Sequence, residues 1–145
     1  MGQARYNDLR KKALDQHKDV KGGNLTHDMD ILYCFWSHYL VMNFDKRMYA
    51  EFRQLAFVDQ DKGSEFGISQ LHDFYDQSMN IKEPFVVSDE VATDFLDLIK
   101  RESSSGERRA YQILRKYWRN GAWSMRNRSK ITKLIDSNLA KKLDS

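Results

Sequence analysis

Apolar and polar positions along this chain recur at the three- and four-residue steps that gather side chains onto one face of a helix. The densest run is 31–57, ILYCFWSHYLVMNFDKRMYAEFRQLAF. Its first half sets Leu32, Phe35, Trp36, Tyr39 and Leu40 on one helical face, and its second half does the same with Met48, Tyr49, Phe52, Leu55 and Ala56. Asn43, Phe44 and Asp45 break the pattern between them. The Asp45 carboxylate can accept the unsatisfied N–H groups of a first turn, which makes it the predicted N-cap of the second helix. The run reads as a helical hairpin.

Its signature returns twice. Leu32 with Phe35-Trp36 reappears as Leu71 with Phe74-Tyr75 and as Leu114 with Tyr117-Trp118, at spacings of 39 and 43 residues. The helix ahead of the doublet repeats too: Tyr6, Leu9, Arg10 and Ala13 match Tyr49, Phe52, Arg53 and Ala56, with a looser copy at Ala92, Phe95, Leu96 and Ile99. A period near 40 built from two helices is what HEAT-like arrays show, because no unit can bury its apolar face without a neighbour to stack on. The expectation is an all-α fold, a HEAT-like array of three helix-turn-helix repeats plus a C-terminal capping helix. It occupies one domain over 1–145, with units at about 4–43, 45–83 and 86–121 and a capping helix at about 127–143 lined by Ile131, Leu134, Ile135 and Leu139.

Punctuation fits those units. The first helix runs over about 4–20 and is followed by a Lys-Gly-Gly-Asn connector at 21–24. Thr26 with Asp28 starts the next helix, Asp61-Lys62-Gly63 and Gly67 punctuate the second unit, and 80–84 ends it. Ser88 caps a helix whose first turn holds Asp89 and Glu90, where negative charge suits the helix dipole. The Ser-Ser-Ser-Gly stretch at 103–106 is the turn of the third unit, and Gly121 ends its second helix.

Composition narrows the class. A chain of 145 residues suits one domain, and aromatics at 12% supply core mass against a mean hydropathy of -0.74, so wholesale disorder is excluded. The single proline, Pro84, leaves long helices uninterrupted. One cysteine, Cys34, excludes an internal disulfide and fits a reducing compartment. There is no apolar run of about 18 residues and no apolar signal segment at the N-terminus. The expected protein is a cytoplasmic monomer with no membrane association.

Charge is uneven. Residues 1–44 carry 6 Lys and Arg against 5 Asp and Glu, 45–99 carry 5 against 12, and 100–145 carry 13 against 4, a net of +9 for the last third. There Arg108, Arg109, Arg115, Lys116, Arg119, Arg126, Arg128, Lys130 and Lys133 interleave with Tyr111, Tyr117, Trp118 and Trp123. Cationic groups neutralise phosphates while aromatic rings stack on unpaired bases, the mixture that a single-stranded RNA surface requires. The same charge also suits a solvated basic face or a docking surface for an acidic protein.

Catalysis and metals leave little trace. His17, His27, His38 and His72 lie far apart with no ligand spacing, and Cys34 alone beside them makes no zinc site. Asp59-Gln60-Asp61-Lys62-Gly63 begins like a calcium loop, but its glycine comes one position early and Gln70 stands where the bidentate glutamate belongs. No glycine-rich phosphate loop or nucleophile elbow is present. The reading is a protein that is not an enzyme, with no cofactor and no metal.

The run Leu32-Tyr33-Cys34-Phe35-Trp36-Ser37-His38-Tyr39-Leu40, followed by Asn43-Phe44, Met48-Tyr49, Glu51-Phe52 and Gln54-Leu55-Ala56, resembles the C-terminal DM-fifteen repeat region of La-related proteins of the first type. The similarity spans about 6–123 and is most specific in the hairpin. The resemblance implies three HEAT-like helix pairs that bind the 5′ end of messenger RNA, including the 7-methylguanosine cap and the next nucleotides, to regulate translation. Its cap residues transfer poorly. Where the family has arginines flanking the first doublet, this chain has Cys34 and Val41. Around the second doublet an arginine, a stacking tyrosine and a guanine-reading glutamate are replaced by Asp73, Gln77 and Asn80. The other stacking aromatic has a counterpart in Trp123.

These strands combine into one expectation: an RNA-binding module of a translation regulator, a divergent member with a poorly matched cap pocket. Arg115, Arg119, Arg126 and Arg128 contact phosphates of single-stranded messenger RNA, and Trp123 stacks on a base. The alternative is a protein-docking scaffold, in which the acidic middle and basic end recruit protein partners.

Overall fold

The computed structural model describes residues 2–18, 26–82, 85–102 and 105–145. The connector at 21–24, Pro84 and the first two serines of the 103–106 turn lie outside them. The described residues form helices and no strands: α1 (Gln3–His17), α2 (His27–Met42), α3 (Lys46–Asp61), α4 (Phe66–Met79), α5 (Asp89–Arg101), α6 (Arg109–Asn120), α7 (Met125–Leu134) and α8 (Ser137–Asp144). The architecture is all-α and consistent with a HEAT-like array. By its contacts the chain divides within α4 into two compact units, Met1–Phe74 and Tyr75–Ser145.

Capping chemistry sets the helix ends. Side chains of Thr26, Asp45 and Ser88 accept the N–H groups of Met29, Met48 and Val91, and so start α2, α3 and α5. Gly121 ends α6 in the left-handed region (φ 64°), where glycine has no Cβ penalty. The segment expected as one closing helix over 127–143 is instead two, α7 and α8. The chain turns extended at Ile135 and Asp136, and the Asp136 carboxylate accepts the Leu139 N–H at 2.8 Å to start a new helix.

In the first unit the core face of α2 is Met29, Leu32, Tyr33, Trp36 and Leu40, all buried, while Phe35 is half-buried and Tyr39 is exposed. The face is thus rotated toward Tyr33. Trp36 stacks 5.6 Å from Phe52 of α3, and Tyr49 and Phe52 both meet Phe74. The repeated positions share burial: Tyr6 and Ala13 in α1, Tyr49 and Ala56 in α3. A polar seam crosses this core. Tyr33 donates its hydroxyl hydrogen to Asp59 at 2.5 Å, and His17 lies 2.6 Å from the other oxygen of that carboxylate. Burial first, then Asp59, pushes the Tyr33 hydroxyl far above its usual range. The Tyr33 ring needs room, and Gly67 provides it: a Cβ there would stand 2.6 Å from the tyrosine Cζ.

In the second unit Tyr75 meets Phe95, and α5 buries Val91, Ala92, Phe95, Leu96, Leu98 and Ile99. Helices α6 and α7 pack on α5, and α8 packs on α6.

Candidate functional site

Most of the basic last third lies in α6, α7 and α8, with Lys100 and Arg101 closing α5. Helix α6 begins after Arg108, which sits in the left-handed region (φ 55°) with its guanidinium 3.9 Å from the centre of the Tyr111 ring. Arg108 supplies no side-chain cap. The Glu102 carboxylate does so instead, accepting from the N–H groups of Ala110 at 2.7 Å and Tyr111 at 3.0 Å. Because α6 buries Ala110, Tyr111, Ile113, Leu114 and Tyr117, its remaining face carries Arg115, Lys116 and Arg119.

Those cations have local partners. Lys116 reaches Asp76 at 2.8 Å, and the Tyr117 hydroxyl donates to the same carboxylate at 2.6 Å. Burial, then Asp76, raises the Tyr117 hydroxyl well above its ordinary range. Arg119 donates to the backbone oxygens of Asp144 and Ser145, Arg115 donates to that of Ser145 at 3.4 Å, and the Trp118 indole donates to Asp144 at 2.8 Å. One face of α6 is therefore laced to the end of α8.

Trp123 is inside. It is 7% exposed and stacks on Tyr117, with ring centres 6.0 Å apart and planes at 21°. Little of its ring is left for a base.

Asn127 sets the rotation of α7. It is fully buried: its amide nitrogen donates to the backbone oxygens of Ser78 and Met79, both at 3.2 Å, and its oxygen accepts the Val87 N–H at 2.9 Å. Successive helical residues are about 100° apart, so pinning Asn127 inward places Arg126 and Arg128 on opposite flanks. Arg126, Lys130 and Lys133 line a groove of about 760 Å³ against the segment leading into α5, with Val86, Met125 and Leu134 as its apolar part. Lys130 is committed, donating at 2.8 Å to both the Val87 backbone oxygen and the Asp89 carboxylate. That contact holds the Asp89 carboxyl below its usual range. Arg128 is exposed on the far flank.

The five residues expected to bind RNA are thus placed in four settings: Arg115 with Arg119 along α6, Arg126 in the groove, Arg128 opposite it, and Trp123 in the interior. Sequence reasoning missed Asn127 as the residue that orients α7. A signal existed in its phase, since Asn127 and Ile131 fall four apart on the buried face of α7.

Positions that answer to the family's cap residues are also placed. Gln77 is half-buried and Asn80 exposed. In the first unit Cys34 is half-buried, and burial followed by the carboxylates of Asp30 and Asp73 pushes its thiol above the ordinary range. Among the described residues no group of three or more His, Cys, Asp or Glu could hold a metal ion, and no helix is long and apolar enough to cross a membrane.

The family model described as the LARP1 HEAT repeat region matches residues 1–144, which include the repeated doublets, the capped helix pairs and the basic α6–α8 segment. This chain belongs to the LARP1 HEAT repeat family.

Proposed function

We propose that this chain is a non-enzymatic RNA-binding module of a cytoplasmic translation regulator. It holds single-stranded messenger RNA near the 5′ end through phosphate contacts, with little preference for the cap. The observation that carries the reading is the charge of residues 109–145, 10 Lys and Arg against 2 Asp and Glu, which α6, α7 and α8 carry in a member of this family. Arg115, Arg119, Arg126 and Arg128 contact phosphates. A guanidinium has five N–H donors, so the single backbone contact of Arg115 leaves donors for an anion. Trp123 supports this surface from beneath by bracing Tyr117.

With four phosphates engaged, log affinity against log salt should slope near about -3, from roughly 0.7 per contact on single strands. Titrating a labelled uncapped oligonucleotide at several salt concentrations measures that slope. R115E/R119E should lower affinity at least tenfold. Unchanged affinity in that variant would remove RNA binding from α6 and favour the protein-docking alternative.

The cap preference follows from what stands at the family's cap positions. A methylated guanine needs two rings around its cation and a carboxylate for its N1 and N2 groups. Gln77 offers no ring and Asn80 no charge, and Asp73 beside Cys34 makes a negative neighbourhood where the family carries arginines. A lost base stack is worth about 1–3 kcal/mol. Capped RNA should therefore bind less than about tenfold better than the same RNA uncapped, about 1.4 kcal/mol. A preference on the order of a hundredfold in matched titrations would mean that other side chains rebuild the pocket.

A further inference from the structure

A cavity of about 430 Å³ opens where α5, the start of α6 and α8 meet. Lys100 of α5, Arg108 ahead of α6 and Lys142 of α8 line it together with the carboxylates of Glu102 and Asp136. Both carboxylates are engaged at helix starts: Glu102 accepts the N–H groups of Ala110 and Tyr111, and Asp136 accepts that of Leu139. Ser145, which also lines the cavity, turns its backbone oxygen to Arg115 and Arg119. The cations have no such answer. Lys100 and Lys142 are exposed, and among the described residues neither they nor Arg108 has an ion pair.

Arg108 is held in a way that helix formation does not explain. Among the described residues it is the one non-glycine residue with positive φ (55°), yet it gives α6 no side-chain cap. Strained backbone of this kind persists only where its surroundings fix it, and it clusters at ligand sites. The fixing element here is Tyr111, which is 7% exposed and donates its hydroxyl hydrogen to the Lys142 backbone oxygen at 2.8 Å. With its guanidinium 3.9 Å from that ring's centre, Arg108 is positioned against the ring and keeps most of its N–H donors for another partner.

We infer that this cavity binds a phosphate monoester, whose oxygens meet Arg108, Lys100 and Lys142 while its carrier rests on Ile99 and Leu139. A dianion with several acceptor oxygens answers one guanidinium fork and two ammonium groups, whereas a diester within a nucleic-acid strand brings half the charge. The carrier is a small molecule or a phosphorylated side chain, and the phosphate chemistry is the same for both. The site shares no residue with the RNA contacts proposed above and does not rest on them.

Calorimetric titration at constant ionic strength tests the assignment. The probes are adenosine monophosphate against cyclic adenosine monophosphate, a diester of the same nucleoside, and a tripeptide carrying phosphoserine against its unphosphorylated twin. At least one monoester should bind at least tenfold tighter than its matched control. Binding of the nucleotide assigns a small-molecule carrier, and binding of the peptide a phosphorylated side chain. Arg108→Gly suits the left-handed backbone, so it should melt no lower than wild type and lose at least tenfold in monoester affinity. K100Q/K142Q, at two exposed positions, should keep the wild-type melt and lose as much. An uncapped RNA with a 5′-hydroxyl end should bind Arg108→Gly within twofold of wild type. The inference is overturned if no monoester saturates the protein by about 1 mM, if the matched controls bind as tightly, or if either variant keeps wild-type monoester affinity. A tenfold loss of RNA affinity in Arg108→Gly would overturn it too, by making the cavity part of the RNA surface.

Discussion

Trp36 has no solvent exposure; its ring packs against Phe52 and Tyr33, and its indole N–H donates to the Tyr6 hydroxyl at 3.0 Å. Trp36→Ala should lower unfolding free energy by about 3–5 kcal/mol, because a cavity replaces the indole in a core already closed around it. Trp36→Phe keeps much of the packing and strands the tyrosine, so about 1–2 kcal/mol is expected. Asn127 is the polar counterpart. Truncating it to Ala orphans two carbonyls and one N–H in the interior, each worth roughly 1–3 kcal/mol, and urea denaturation should show a loss of at least about 3 kcal/mol. Trp123→Ala separates structure from recognition. It should lower the melting temperature while leaving RNA affinity within about twofold for the folded protein, since a ring already stacked on Tyr117 has little face to give. A tenfold fall in affinity with unchanged melting would restore Trp123 as a stacking platform.

Helix placement depends on two glycines for different reasons. Gly63 needs its conformation, φ 96°, and has open space around it, whereas Gly67 needs space under the Tyr33 ring. Gly67→Ala should therefore force α4 or the tyrosine to shift and cost about 1–3 kcal/mol. Gly63→Ala should be destabilising through backbone strain alone, about 1–2 kcal/mol. Thermal melts of both variants, with crystal or NMR data on the Tyr33 ring, distinguish the causes: only Gly67→Ala should perturb Tyr33. At the other end, Asp136 divides α7 from α8 by capping. Its polar side chain lies in a stretch whose apolar spacing, Ile131, Leu134, Ile135 and Leu139, runs on as though helix were continuous. A cap competes with periodicity at such a site, and the cap prevails because it satisfies the orphaned N–H groups of a new first turn.

For the molecule as a whole, both compact units carry a tyrosine hydroxyl whose proton is held more tightly in the folded state: Tyr33 in the first and Tyr117 in the second. The sign follows directly. Each group's stabilising effect is fully present below the unfolded value of about 10 and is lost as pH rises toward the higher folded value, because the unfolded chain releases the proton first. In a Cys34→Ser background, which removes the raised thiol, urea midpoints should be level from about pH 8 to 9 and fall beyond about pH 10. Tyr33→Phe and Tyr117→Phe should each flatten part of that fall. A midpoint that stays constant to about pH 11.5 would show that neither hydroxyl's proton is held as their burial implies.

Local chemistry was legible from residues alone, because periodicity and capping act within a few positions of the chain. Thr26, Asp45, Ser88 and Gly121 mark helix ends wherever they fall, and the repeated doublets disclose helix pairs and the family before any packing is known. The sum of charge over 100–145 is likewise a property of composition. Which residues share a surface is not. Tyr33 joins the core through Asp59 and His17, partners 26 and 42 residues apart along the chain in their respective contacts. Arg126 and Arg128 are two positions apart, yet they part company because a buried amide between them satisfies backbone groups of Ser78, Met79 and Val87. Trp123, aromatic and surrounded by cations in sequence, turns inward from the connection between α6 and α7 and stacks on Tyr117. Burial of polar groups is decided by distant partners able to satisfy them, and only tertiary structure brings those partners together.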